Sequence, residues 1–373
     1  MTIELKGKSS DTSRILMFSQ RNIYNFHYRC ALYEFEDIIR QIDSVDLLNP
    51  HPSRWFKYGT RIANRLAVDC YISPNPGISK VRINKYYDLF FTICQFPSDL
   101  LNVKTVIGWE DHCRISICWL NEIYASDVHK DKYYLDILSK FDYVILNCSQ
   151  SVSAVNEVIG SKGFYSPFGI DATIFCPFPE SPQRFIDVYS IGRRSEQTHQ
   201  ALLDLLKKKK IFYVYDTIDG KKVLSANQHR LLYANFAKRA KYFIVNPGKM
   251  DCPDETAGQS EIGYRYYEGA ASGTIMIGES PKNDEFKKDF NWPDVVIHLP
   301  QGSDNIESLI DELAKQPERQ EEIRATNVAQ SLLRHDWAYR WETVLKTAGL
   351  EPLPELLERK NHLKRLAKMA EEV

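Results

Sequence analysis

The chain has 373 residues, 43% of them hydrophobic, and its 48 basic and 49 acidic side chains leave a formal charge of −1. That is apolar material for about two domain cores, and the near-neutral balance excludes the basic excess expected of a nucleic-acid-wrapping protein. No apolar run approaches the ~20 residues needed to cross a bilayer, and the polar start MTIELKGKSSDTSR lacks a secretory signal's apolar centre, so the cytoplasm is the expected compartment.

In the first half, RILMFSQ (14–20), VDLLN (45–49), DLFFTICQ (88–95), KTVIGW (104–109) and YVILNC (143–148) read as strands, with helices near 27–41 and 131–140. The stretch YSPFGIDATIFCPFPESPQRF (165–185) is rich in proline and aromatic residues and poor in helical periodicity, and reads as a linker. Beyond it, strands are expected over IDVYSIG (186–192), IFYVYD (211–216), KYFIVNPG (241–248), TIMIG (274–278) and VVIHL (295–299). Helical periods separate them: one carries Ala201, Leu202, Leu205 and Leu206, the next spans 225–240, and a third runs through IGYRYYEGAAS. Short apolar strands alternating with helices imply an α/β architecture with parallel sheets covered on both faces. A helical tail (317–350) and a charged amphipathic helix, LLERKNHLKRLAKMAEEV, follow; acidic residues dilute the basic face of the latter, which favours a solvated or partner-packed helix over a membrane-surface one. The run Lys207–Lys210 suits a helix carboxyl end.

The eight cysteines form no CxxC pair and no Cys/His cluster at zinc spacing, so buried free thiols are expected, with neither a disulfide framework nor a metal. Two βα domains joined by a linker make a cleft, and in open parallel sheets ligands bind beyond the carboxyl ends of the strands. The loops after the strands are therefore the places to look. GRRSEQTH (192–199) offers Gly192 for a tight turn and Arg193 and Arg194 beside a helix start, a setting for anionic oxygens; a pair of surface arginines in a turn is the plainer reading. NPGKMDCPDETAGQSE (246–261), long for a βα connection, adds Asn246 and Lys249 to the candidate set. Glu261, Arg265 and Glu268, at steps of four and three, share one helical face, as an ordinary surface ion pair or as part of a site. The small residues from Gly269 to Gly273 allow close packing or close ligand approach. In the first half, IGWEDHCR (107–114) sets Glu110, Asp111, His112 and Arg114 past a strand end, where Asp111 and His112 suit proton transfer or a sugar hydroxyl, and the loop at 19–29 offers Arg21, Asn22 and His27. No GxGxxG, Walker or Gly-x-Ser-x-Gly pattern is present.

Four segments carry a resemblance. PFGIDATIFCPFP (167–179) is similar to an interdomain P-x-G-(I/V)-D-x-x-x-F-x-P segment, and DVYSIGRR (187–194) to a first strand and Gly-Arg turn. EGAASGTIMIGE (268–279) resembles an E-A-x-A-x-G-x-P-V-(I/V) helix–strand, and HDWAYRWETVL (335–345) a late H-(S/T)-W-x-x-(R/W) helix. Together these resemble the GT-B fold glycosyltransferases of the group 1 superfamily, in its divergent, retaining-type, spore-maturation-like branch. The likeness covers most of residues 140–348, whereas the first 140 residues fit only by order of elements.

The resemblance implies two Rossmann-like domains facing a cleft: an acceptor-side domain at 1–165, a linker at 166–185, and a nucleotide-sugar domain at 186–334. The C-terminal helices at 335–373 could cross back to the first domain. It further implies glycosyl transfer from a nucleotide-diphosphate sugar to the hydroxyl of a glycan, lipid-linked or small-molecule acceptor, without an obligatory cofactor or metal and with at most peripheral membrane association. Glu268 matches the ribose-binding glutamate and Arg193 the arginine at the diphosphate, with Gly192, Arg194, Asn246, Lys249 and Arg265 in the donor set. Glu261, Asp111 and His112 are the candidate catalytic groups. Two departures stand out. Ser195, Glu196 and Gln197 occupy the region where the family usually has a lysine, and Ser260 holds the first-glutamate position, leaving Glu261 one residue out of register. These favour the alternative of a catalytically silent glycan- or nucleotide-binding protein on the same fold; an epimerase of nucleotide sugars is a third reading.

Overall fold

The β-branched and aromatic runs assemble into parallel sheets in a computed structural model that describes residues 2–4, 13–72, 74–216 and 222–372. By its internal contacts the chain divides into two units, one of residues 1–166, 222–226 and 340–356, the other of 167–221, 227–339 and 357–373.

The first unit is built on a six-stranded parallel sheet. In chain order its strands are β2 (Ile15–Phe18), β3 (Val45–Leu48), β5 (Tyr87–Cys94), β7 (Cys113–Leu120), β8 (Tyr143–Leu146) and β9 (Gly163–Tyr165), in the spatial order β3-β2-β5-β7-β8-β9. A smaller parallel sheet pairs β1 (Thr2–Glu4), β4 (Lys80–Arg82) and β6 (Val106–Ile107). The segment KTVIGW, expected as a strand, contributes the two-residue β6 of the smaller sheet, and the strand seated between β5 and β8 is β7. Both faces of β7 are covered, so its carboxyl half, Ile117–Leu120, is fully buried rather than alternating in burial. Helix Cys30–Ile42 covers one face, and Trp341, from the C-terminal part of the chain, packs its ring 5.3 Å from Phe91 and donates its indole N–H to Asp43 at 2.8 Å.

The second unit carries β10 (Ile186–Ser190), β11 (Tyr213–Tyr215), β12 (Ala240–Val245), β13 (Ile275–Gly278) and β14 (Ile297–His298), parallel and ordered β11-β10-β12-β13-β14. The start of residues 167–185, read above as a linker, is instead part of this unit's core: Phe168, Ile170, Ala172, Phe175 and Cys176 are buried there. Backbone bonds tie Ile170 to His335 and Trp337, at 2.9 and 3.0 Å. The helical tail breaks at His335–Asp336 into Pro317–Arg334 and Trp337–Ala348. The last helix, Pro354–Glu371, buries Leu363, Leu366, Ala367 and Ala370 in the same core, which accounts for its apolar stripe.

In both sheets the second strand in sequence lies on one side of the first and the third on the other. This order creates a switch point between β2 and β5 and another between β10 and β12, where loops diverge and leave room for a ligand beyond the strand ends.

Candidate functional site

At the second switch point, β10 leads into Gly192, whose φ of +79° suits glycine. Its N–H donates to both carboxylate oxygens of Asp216, just past neighbouring β11, at 3.2 and 3.1 Å. Arg194 donates through Nη2 to the Asp216 carbonyl at 2.8 Å and to its carboxylate, and its buried Nη1 has no hydrogen-bond partner among the described residues. Arg193 turns away to pair with Asp251 at 2.7 Å and is about half exposed. Ser195 caps helix Glu196–Lys207, its Oγ accepting from Thr198 N and Gly302 N, so this helix start is closed by the chain itself.

On the other side of the switch point, helix Tyr264–Ala271 starts beyond the end of β12, and no side chain caps its amino end. Close packing fixes it. A Cβ at Gly269 would meet Met276 Sδ at 2.7 Å and Phe243 Cδ1 at 2.8 Å, and one at Gly278 would meet the Val245 carbonyl oxygen at 1.8 Å. The small residues therefore bring the helix down onto β12 and β13.

Arg265 and Glu268 project from this helix into a buried network. Glu268, only 1% exposed in its side chain, accepts from Arg230 on Oε1, and from Arg265 and the Tyr233 hydroxyl (2.7 Å) on Oε2. Burial alone would push this carboxyl up, but Arg265 and Arg230 with Tyr233 outweigh it and hold it at about 2. Two guanidiniums against one carboxylate leave one positive charge uncompensated. Arg265 is further fixed by Nε–H to the Ile191 carbonyl (3.2 Å) and by Nη1–H to Tyr233 (3.1 Å). Its Nη2 comes 3.4 Å from where a Gly192 Cβ would stand and makes no hydrogen bond among the described residues. The result is a fixed, partly accessible cation facing a turn that has no side chain, an arrangement suited to anionic oxygens.

Of the residues singled out from the sequence, Gly192, Arg194, Arg265 and Glu268 come together here. Asn246 follows β12, its Oδ1 3.4 Å from a Gly278 Cβ; Lys249 pairs with Glu255 at 3.4 Å. Glu261 is not on the helix. It lies in the preceding loop, buried, its carboxylate accepting from Gln259 at 2.7 Å and its carbonyl from Gly248 N. Arg230 and Tyr233, and Asp216, were not anticipated. Arg230, Tyr233, Ala234 and Ala237 form one buried stripe of helix Ala226–Lys238, and an arginine within such a stripe signals a buried carboxylate partner.

Asp111 and His112 lie elsewhere. Residues Trp109–His112 form a helical turn leading into the amino end of β7, so they stand at the opposite edge of the six-stranded sheet from its switch point. His112 Nδ1 is 2.8 Å from the Gly108 carbonyl and Glu110 pairs with Lys140 at 3.1 Å; Arg114 donates to the Ala348 carbonyl at 3.0 Å. Asp111 lines a shallow surface pocket with Arg14 and Lys85. Arg21 is held by Glu36 and Asp37, Asn22 by the Asn49 carbonyl, and His27 is exposed. Carboxamides instead stand just beyond the carboxyl ends of four neighbouring strands: Gln20 after β2 and Gln95 after β5, on the two sides of the first switch point, then Asn121 after β7 and Asn147 after β8. The buried Oε1 of Gln95 and Oδ1 of Asn147 have no hydrogen-bond partner among the described residues.

Residues 200–346 match the family described as "Glycosyl transferase-like". No curated protein matches the chain by sequence. Among solved structures, Anabaena HepE in complex with UDP-glucose is 14% identical, with a TM-score of 0.51, over 90% of this chain and 99% of that one. An α-glucosyltransferase in complex with UDP and a 13-mer DNA is 9% identical (90% and 99% covered, TM-score 0.48). A UDP-N-acetylglucosamine 2-epimerase is 8% identical (90% and 97%, TM-score 0.46). The likeness to HepE shows the GT-B fold. The family match is confined to residues 200–346, within the part of the chain that carries β11 to β14.

Proposed function

We propose that the protein transfers a glycosyl group from a nucleoside-diphosphate sugar to an acceptor hydroxyl. The observation that carries this reading is the unpaired Nη2 edge of Arg265, locked by Glu268 and Tyr233 against the bare Gly192 turn. As the bond between the anomeric carbon and the diphosphate oxygen breaks, that oxygen takes the electron pair. Arg265 stabilises the growing charge, and the helix start at Gly263 adds its dipole. The acceptor hydroxyl forms the new bond to the anomeric carbon and gives up its proton to the departing diphosphate. A fixed guanidinium supplies the charge neutralisation for which other enzymes use a divalent cation, so transfer persists in chelator. The unpartnered oxygens of Gln95 and Asn147 suit the hydroxyl hydrogens of a polyol acceptor. Retention of anomeric configuration is the outcome the family resemblance supports, with Glu261 nearest the first-glutamate position.

Incubation with UDP-, GDP- and ADP-sugars, followed by assay for released nucleoside diphosphate, tests the reading. Release from one donor, lowered in Arg265→Ala by about 2.7–4 kcal/mol of barrier, is expected. Tight nucleotide binding with no release from any donor would instead establish the catalytically silent reading, which Ser260 at the first-glutamate position and the closed-off Glu268 favour.

A further inference from the structure

Helix Phe56–Cys70 of the first unit presents three sectors at ~100° per residue. Ala63 and Ala67 are fully buried, and a Cβ at Gly59 would lie 2.5 Å from the Pro76 carbonyl oxygen, so this side is pressed onto the protein. Asn64 is tied down by the Tyr134 hydroxyl at 2.9 Å. A second sector carries Trp55, Tyr58 and Ile62, which are 62%, 60% and 58% exposed. Tyr71 and Ile72, just past the helix, extend the exposed apolar surface. The third sector, beside the second, holds Arg54, Lys57, Arg61 and Arg65, all exposed. Asp69 is the helix's one acidic residue, 3.3 Å from Arg65. The Arg54 guanidinium lies 5.3 Å from the Trp55 ring centroid.

We propose that this helix docks on an anionic lipid bilayer. A large aromatic and aliphatic stripe left in water on a well-anchored helix is unfavourable for a free surface, and indole and phenol rings suit headgroup depth, where one end is dry and the other wet. The adjacent cations match the negative surface of such a bilayer, each strengthening attachment while the apolar side chains enter the interface. A nucleic-acid groove would use the cations but leave Trp55, Tyr58 and Ile62 unexplained. Lying flat requires no spanning segment, and no described helix is long and apolar enough to be one. The docking is independent of the sugar-transfer reading, and its assay contains no nucleotide.

The test is co-sedimentation of the full chain with vesicles of phosphatidylcholine alone and of phosphatidylcholine mixed with phosphatidylglycerol. The protein should pellet with the mixed vesicles, release in high salt, and stay in solution with the neutral ones. Trp55→Ser/Tyr58→Ser/Ile62→Ser and, separately, Arg54→Gln/Lys57→Gln/Arg61→Gln/Arg65→Gln should each weaken partitioning about tenfold or more while circular dichroism is unchanged. Should one variant misfold, the other and the wild-type salt titration decide. Failure to bind mixed vesicles, or equal binding by a folded triple variant, overturns the proposal. A concentration-dependent dimer abolished by the triple variant, with no vesicle binding, would assign the stripe to a second copy instead.

Discussion

At the scale of single residues, Glu268 bears most of the interpretation. The family resemblance gives it a ribose, yet both its oxygens are already engaged by Arg230, Arg265 and Tyr233, and its side chain is almost wholly buried. Its work is to hold Arg265 in place. Donor hydrolysis measured with a ribose donor and its 2′-deoxy analogue separates the roles. In Glu268→Gln, turnover should fall while the ratio between the two donors stays as in the wild type; collapse of that ratio would restore a ribose contact. Stability carries a second signature. The carboxyl sits near 2 in the folded chain against an ordinary 4.5, so its stabilisation is complete above about pH 4.5 and lost as pH falls toward 2. Urea unfolding of wild type and Glu268→Gln should therefore converge in acid. Removing the carboxylate altogether, in Glu268→Ala, strands the buried Arg230 beside the partly accessible Arg265 and should cost about 3–5 kcal/mol at neutral pH. The sequence supplied Glu268, Arg265 and Gly192 because residue type and position after a strand suffice to find them. It could not supply Arg230 or Asp216, which reach the site from other elements.

At the scale of elements, the helix–strand unit from Tyr264 to Gly278 was legible because its glycines have one reading: nothing larger fits. Gly278 has a φ of +152° and touches the Val245 carbonyl, so Gly278→Ala should lower thermal stability strongly, by more than the ~1–3 kcal/mol of backbone strain alone. Gly269→Ala presses on a flexible methionine and a phenylalanine edge and should cost about 1–3 kcal/mol. The first unit was harder to read. Strand β7 hides behind Cys113 and Arg114, and its carboxyl half is buried on both faces, so no alternation marks where it begins. Asp111 and His112 do follow a strand, but it is the short β6 of the small sheet, and with the start of β7 missed they are not recognisable as standing at the amino end of the main sheet. The expectation made for them from position alone loses that support, and His112→Ala should leave nucleoside diphosphate release within about twofold of wild type, because a side chain bound to its own turn and remote from the strand-end loops carries little of the ~1.4 kcal/mol that a tenfold effect represents.

At the scale of the whole molecule, the chain order and the spatial units disagree. Residues 340–356 belong to the first unit and 357–373 to the second, and each return is anchored by buried groups. Within the first, Trp341, Val344 and Leu345 are fully buried and Arg14 holds the Glu351 carbonyl at 2.8 Å. Within the second, Arg359 pairs with Asp171 and Asp336, each at 2.7 Å, a three-membered charge cluster that keeps the guanidinium well above its usual range. Arg359→Met leaves two nearly dry carboxylates facing each other, and a loss of about 3–5 kcal/mol in chemical denaturation is expected. The interleaving also dictates when the molecule can exist. A ribosome that has made residues 1–166 has made a sheet whose Phe91 and Asp43 still await Trp341, so the first unit cannot be finished before residues 167–339, most of the second, have been synthesised. Expressed alone, residues 1–166 should be trimmed by a protease that spares the full chain. During translation, Phe91 and Asp43 stay without this partner until residues 340–356 have been made.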